Sequence, residues 1–135
     1  MRYALLDLPL ERIHNKAFKA AEATHCAEDQ GKFWEMHDRL FENSKNLEPW
    51  GDHAAAIGLD VAAFDACMAS GKHAEAIRAD MKEASKVRIT GTPGFVIGLT
   101  DPEDPRKVKG VSFIRGAQAF PAFQSQIEAA LKEAN

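Results

Sequence analysis

Thr90-Gly91-Thr92-Pro93-Gly94-Phe95-Val96-Ile97-Gly98 is the stretch from which the organisation of the chain is read. Gly91, Pro93 and Gly94 punctuate it as a turn, and Phe95-Val96-Ile97 predicts a short strand directly behind. Taken alone, Thr92-Pro93 is a strand-entry X-Pro bond, trans by default. Downstream, Asp101-Pro102-Glu103-Asp104-Pro105-Arg106-Lys107 predicts a polar loop to a second strand, Val111-Ser112-Phe113-Ile114, so the two form a hairpin. Gly116 follows. A helix then begins near Pro121, a residue suited to a first helical turn, with Phe123, Ile127, Ala130 and Leu131 on one apolar face.

Upstream of the turn the pattern is helical. From Asn15 to Gln30, Ala17, Ala20, Ala21 and Ala27 lie at helical spacing beside Phe18, and Gly31 stops the run. Lys32 to Asn43 carries Phe33, Met36 and Leu40 on one stripe, with Trp34 and Phe41 expected to widen it. A short helix from His53 to Ile57 closes at Gly58. Asp60 caps a fourth, with Val61, Phe64 and Met68 recurring on one face before Gly71, and a fifth runs from about His73 to Lys86. Before all of these, Arg2 to Leu8 is apolar on both faces and predicts a strand buried on both sides, ended by Pro9. There is no internal repeat and no linker.

The bulk numbers narrow the function classes. A chain of 135 residues fits one domain, here residues 1–135, with 45% hydrophobic and 27% charged residues in the ordinary globular range. A net charge of -3 offers no basic patch for nucleic acid or an anionic membrane surface. Apolar runs fall far short of the ~20 residues that cross a bilayer, so no membrane span is expected. Met1 to Pro9 has too short an apolar core for a secretory leader, which leaves a chain that is cytoplasmic if Met1 is the natural start, or one whose leader was removed upstream.

The residues capable of chemistry are few. Cys26 and Cys67, 41 positions apart, make neither a vicinal redox pair nor a four-ligand zinc framework, and no Cys-x-x-Cys occurs. They read either as two small buried hydrophobes or, in an oxidising compartment, as a pair that closes a loop. His14, His25, His37, His53 and His73 show no metal-ligand spacing, and His25 and His37 stand among charges that a solvated helix face explains; no metal or cofactor is expected. Trp34 needs only core packing, Trp50 could serve as a stacking platform, and Glu11-Arg12 and Asp101 to Lys109 are solvated charge runs. Gly91 and Gly94 lack the Lys-Ser/Thr that a phosphate loop requires.

The order strand, helices, Gly-Thr-Pro, hairpin, helix resembles the DsbA-like thioredoxin family of thiol-disulfide oxidoreductases. Three patches carry the resemblance: Ala20-Ala21-Glu22-Ala23 with Cys26-Ala27-Glu28-Asp29-Gln30-Gly31-Lys32-Phe33-Trp34-Glu35-Met36-His37-Asp38, then Gly91-Thr92-Pro93, then Ile114-Arg115-Gly116-Ala117-Gln118. It implies an α/β thioredoxin-like fold of the DsbA type, with a helical insertion over about 15–86 and a hairpin and C-terminal helix over 90–135. It implies that Thr92 and Pro93 form a cis-proline loop whose backbone pairs with an extended protein or peptide substrate. It also implies a periplasmic setting, and in some members two cysteines of these helices form an extra structural disulfide, which Cys26 and Cys67 resemble.

The departure from the family pattern is equally specific. Members begin with a further strand and a helix bearing Cys-x-x-Cys, where the helix dipole lowers the attacking thiol's pKa. This sequence starts after both, so it is expected to be an N-terminally truncated domain with no catalytic residue. Cys26 does not substitute, lying in a helix interior with no vicinal partner and no cation nearer in sequence than Lys32. Without the central strand the sheet has a gap, expected to be closed by strand exchange in a homodimer, by direct pairing of the remaining strands, or by a complementing partner strand. Two functions follow: an oxidoreductase-related domain inactive alone, or a non-catalytic peptide-binding or assembly module using the proline loop and an open sheet edge.

Overall fold

The structure, a computed structural model, describes residues 1–134. The chain forms two compact units, Met1–Val87 and Arg88–Asn135.

The first unit is helical, with α1 (Ala17–Glu28), α2 (Phe33–Glu42), α3 (Trp50–Ala56), α4 (Val61–Ser70) and α5 (Ala74–Lys86). Local signals set most of the boundaries. Asp60 Oδ1 accepts the Ala63 N–H at 3.0 Å and caps α4, whose other end is Gly71 in the left-handed region at φ 63°. Gln30 and Asp60 clamp the entry to α4 reciprocally, the Gln30 side chain accepting the Asp60 N–H at 2.8 Å and donating to the Asp60 carbonyl at 3.1 Å. The third helix starts at Trp50, three residues earlier than the expected His53, because Pro49 supplies an extended N-cap and Asp52 an acidic first turn.

Alanines on α1 let its neighbours approach closely. Ala23, Cys26 and Ala27 pack with Met36 and Leu40 of α2, Ala54 of α3, Leu59 and Phe64, forming the core of this unit. Cys26 on α1 and Cys67 on α4 are joined in a disulfide with their Cα atoms 5.8 Å apart. The buried face of α2 is narrower than the expected stripe. Only Met36 and Leu40 are buried, whereas Trp34 and Phe41 are exposed. Trp34 instead stacks edge-on against Phe33 and His37, with Tyr3 beside it.

The expected strand at Arg2 to Leu8 does not form. These residues are unpaired and non-helical, with Tyr3 and Leu6 exposed rather than buried on both faces. The reason is that a strand is defined by its ladder, and no strand among the described residues pairs with this segment. A side chain holds it instead: the Asp7 N–H donates to Asp80 Oδ2 of α5 at 3.0 Å.

The second unit is a β-hairpin with one helix. β1 (Gly94–Thr100) and β2 (Val108–Arg115) are antiparallel, with Phe95 opposite Ile114 and Val96 opposite Phe113. Both strands run beyond the expected 95–97 and 111–114, because Gly98 and Gly110 face each other within the ladder, where glycine reads as a strand end. The register shifts between Ile97 and Gly98, and a Cβ at Gly98 would collide with the Lys109 carbonyl, so only glycine fits the bulge. Asp101 organises the loop, its Oδ1 accepting the N–H groups of Glu103 at 2.8 Å and Asp104 at 3.1 Å. α6 (Phe120–Glu133) covers one face of the hairpin, where Phe123 meets Phe95 edge-to-face at 4.8 Å. A hairpin needs such cover to be stable.

Two outcomes follow. Replacing both cysteines by alanine (C26A/C67A) is expected to lower stability by about 4 kcal/mol, from the released closure of a 41-residue loop, as read by urea denaturation. Gly98→Ala is expected to cost about 1–3 kcal/mol through the collision at the bulge, read by thermal melting.

Candidate functional site

In the hairpin unit, the turn before β1 is held from both sides. Pro93, whose peptide bond with Thr92 is cis, accepts the Gly116 N–H on its carbonyl at 2.8 Å. Gly116 reaches this position with φ 76°, in the left-handed region. A side chain at Gly94 would press within 3.0 Å of Ile89 Cγ2 and 3.4 Å of the Phe113 ring, so the turn sits tightly on its own unit. Gly91, Thr92 and Pro93 are exposed. β1 pairs only with β2, and its other edge has no strand partner among the described residues. The face opposite α6 presents Val96 and Phe113 to solvent, with the Arg115 guanidinium 5.9 Å from the Phe113 ring centroid. An exposed turn leading into a free strand edge with an apolar pair beside it can accept an added strand, because an unpaired edge offers rows of N–H and C=O groups.

In the helical unit, a polar cluster surrounds the disulfide. His25, adjacent to Cys26, has Nε2 at 2.6 Å from Asp7 Oδ2 and Nδ1 at 2.9 Å from Glu28 Oε2. It is not the solvated histidine expected from its charged neighbours, because Asp7 folds across it and leaves its side chain only 21% exposed. The hydrogen bond to Asp7 lifts its pKa from 6.5 to about 9; desolvation opposes this, and Glu28 adds to it. Protonated, His25 is thus a cation nearer to Cys26 in sequence than Lys32. Asp80 is pushed above the usual carboxylate range by burial, with Asp7 close by.

Beside it, the His73 ring lies 5.5 Å from that of His25, and His73 Nε2 is 3.0 Å from Asp29 Oδ2. Lys72 Nζ approaches the same oxygen at 2.7 Å. Partial burial raises the Asp29 carboxyl, and the bonds from Lys72 and His73 more than reverse that, leaving it below its ordinary range. Cys67 Sγ lies 3.4 Å from this carboxylate, a contact rather than a hydrogen bond, since the oxidised sulfur carries no proton.

Donor atoms of Cys26, Asp29, Cys67 and His73 all lie within 4.8 Å of one another, a grouping that chain spacing could not reveal. The other histidines are spent elsewhere: His37 on Asp38, His53 on the Asn46 carbonyl, and His14 in an exposed turn. Trp50 packs against the core of the helical unit. No cysteine is free.

The DSBA-like thioredoxin domain family matches residues 4–128. The chain belongs to that family of thiol-disulfide oxidoreductase-like domains, and its α/β fold is thioredoxin-like. Similar proteins include the Na(+)/H(+) antiporter NhaA 3 of Salinispora tropica, 33% identical over 127 residues that make up 93% of this chain and 19% of that protein. The Na(+)/H(+) antiporter NhaA 1 of Mycolicibacterium vanbaalenii is 39% identical over 103 residues, 72% of this chain and 16% of its own length. Its namesake in Salinispora arenicola is 37% identical over 99 residues, 72% and 15% respectively. The chain thus spans less than a fifth of these relatives. No helix among the described residues is long and apolar enough to cross a membrane.

The His25 cluster has a pH signature. Folded His25 keeps its proton to about pH 9 and the unfolded residue to 6.5, so its stabilisation is complete below 6.5 and lost as pH rises through 9. Urea denaturation is expected to show a loss of roughly 1–3 kcal/mol between these limits, flattened in Asp7→Asn.

Proposed function

We propose that this domain holds an extended polypeptide segment along the Thr92-Pro93 turn and the free edge of β1, and that it does not catalyse dithiol exchange on substrates with its own residues. One observation carries the reading: the only two cysteines of the chain are bound to each other in the helical unit, while the turn and edge stand exposed in the hairpin unit. Disulfide exchange starts from a thiolate attacking a disulfide sulfur. The oxidised chain offers no thiolate to attack a substrate disulfide, and its disulfide lies in the helical unit rather than at the Thr92-Pro93 turn, with Cys26 1% exposed. Strand addition needs main-chain groups at a free edge, which β1 offers, and the exposed Val96 and Phe113 give an apolar surface beside it.

The family match runs through both compact units, which supports treating residues 1–135 as one DsbA-like domain. The relatives named as antiporters are several times longer than the matched segment, which supports a domain of the kind carried within larger proteins. Ion antiport is not carried over to this chain. The β1 edge is a place where a second copy or a complementing strand could pair, so a homodimer belongs to the same reading.

Two experiments test it. Insulin reduction and refolding of reduced ribonuclease are expected to proceed no faster with this protein than with its C26S/C67S variant; a clear excess rate would overturn the non-catalytic reading. Fluorescence anisotropy with labelled extended peptides is expected to show binding that survives Thr92→Ala, which keeps the backbone donor. Thr92→Pro, which removes it, should weaken binding by about tenfold or more, a loss of roughly one backbone hydrogen bond. Near-UV circular dichroism checks that both variants fold. Equal affinity in the two variants would place peptide binding elsewhere.

A further inference from the structure

The grouping of Cys26, Asp29, Cys67 and His73 lies outside the peptide-binding reading and does not rest on it. Its four side chains come from three places: Cys26 and the C-cap Asp29 from α1, Cys67 from α4, and His73 from the N-cap of α5. Two sulfurs, an imidazole nitrogen and a carboxylate oxygen form a donor set that zinc takes in tetrahedral sites. Their donor atoms fall within 4.8 Å of one another, and the ~3.3–3.8 Å edges of such a tetrahedron are reached from there by side-chain rotations that move the atoms about 1 Å. Asp29 Oδ2 lies 3.4 Å from Cys67 Sγ and 3.0 Å from His73 Nε2, and a depression lined by Cys26, Asp29, Gln30, Cys67 and Lys72 opens the site to solvent.

In the oxidised chain the sulfurs are spent on each other. Zinc–sulfur bonds of ~2.3 Å hold two thiolates roughly 3.8 Å apart, a separation that cysteines with Cα atoms 5.8 Å apart reach by side-chain rotation. We propose that reduction of the Cys26–Cys67 disulfide converts this cluster into a four-ligand Zn²⁺ site built from the Cys26 and Cys67 thiolates, His73 Nε2 and an Asp29 carboxylate oxygen.

The chemistry balances with a dithiol as reductant. It gives two electrons and two protons to the S–S bond, which breaks into two thiols while the dithiol closes to its own disulfide. Zn²⁺ then displaces both thiol protons to solvent and forms two Zn–S bonds, a Zn–N bond to neutral His73 and a Zn–O bond to Asp29. The filled site carries one net negative charge, and the Lys72 ammonium, 2.7 Å from Asp29 Oδ2, stands ready to offset it. Zinc would thus keep α1 and α4 linked when the covalent link is lost, and would fasten the start of α5 as well.

The test uses the whole chain reduced with a phosphine under argon and titrated with Co²⁺. The expected result is one cobalt per chain, with near-ultraviolet thiolate charge-transfer and intense visible bands of tetrahedral cobalt, bleached by equimolar Zn²⁺. The oxidised chain should show neither. His73→Ala and Asp29→Asn are each expected to weaken Zn²⁺ binding by at least about tenfold, since even indirect partners of a ligand matter that much, and His37→Ala should leave it unchanged. Both site variants keep the disulfide, so melting of their oxidised forms checks folding independently. A reduced chain that takes no tetrahedral cobalt, including one that unfolds and is not refolded by zinc, overturns the proposal. So does binding that neither His73→Ala nor Asp29→Asn weakens.

Discussion

A single covalent bond between α1 and α4 sets the character of this domain. It closes a 41-residue loop across the helical unit, and in doing so constrains the unfolded chain by about 4 kcal/mol. The same bond consumes both thiols of the sequence. It also gathers polar groups that would otherwise lie far apart, because joining residues 26 and 67 brings the end of α1 to the start of α5, where Asp29 meets His73 and Lys72. Small residues make this possible. Alanines at 23 and 27 flank Cys26 on α1 and let the helices approach to disulfide distance.

The hairpin unit follows a different physical rule. Its two strands satisfy each other on one edge only, and α6 covers one face, so an edge and the Val96/Phe113 face remain available. Edges of this kind are usually blunted by charge or proline because they invite pairing. Here the turn that feeds the edge is instead anchored through the Pro93 carbonyl and Gly116, which holds the exposed backbone of Thr92 in one place. Rigid support with an exposed rim suits binding.

How much of this was legible in the sequence depends on the range of each interaction. Asp60 and Gly71 mark α4 by local capping, and Gly91-Thr92-Pro93 with the two strands that follow it announced the hairpin, so both were readable. The resemblance carried by Cys26 to Asp38 gave the family. What failed was non-local. Arg2 to Leu8 has the composition of a strand, but a strand exists only through a neighbour's hydrogen bonds. The half-buried, protonated state of His25 depends on Asp7, 18 residues away, and the meeting of Asp29 with His73 spans 44. Trp34 and Phe41 have core-like chemistry yet fall just outside the narrow arc that α2 buries. Periodicity reports which residues share a helix face, not how wide the facing surface is.

The oxidised tie between Cys26 and Cys67 underlies the loop closure, the loss of free thiols and the polar cluster alike, and mass spectrometry after proteolysis without reduction tests it most directly. A linked pair of peptides containing Cys26 and Cys67 is the expected product, with no thiol reacting with Ellman's reagent in denaturant. Two freely titrating thiols and unlinked peptides, from protein kept under air, would contradict it.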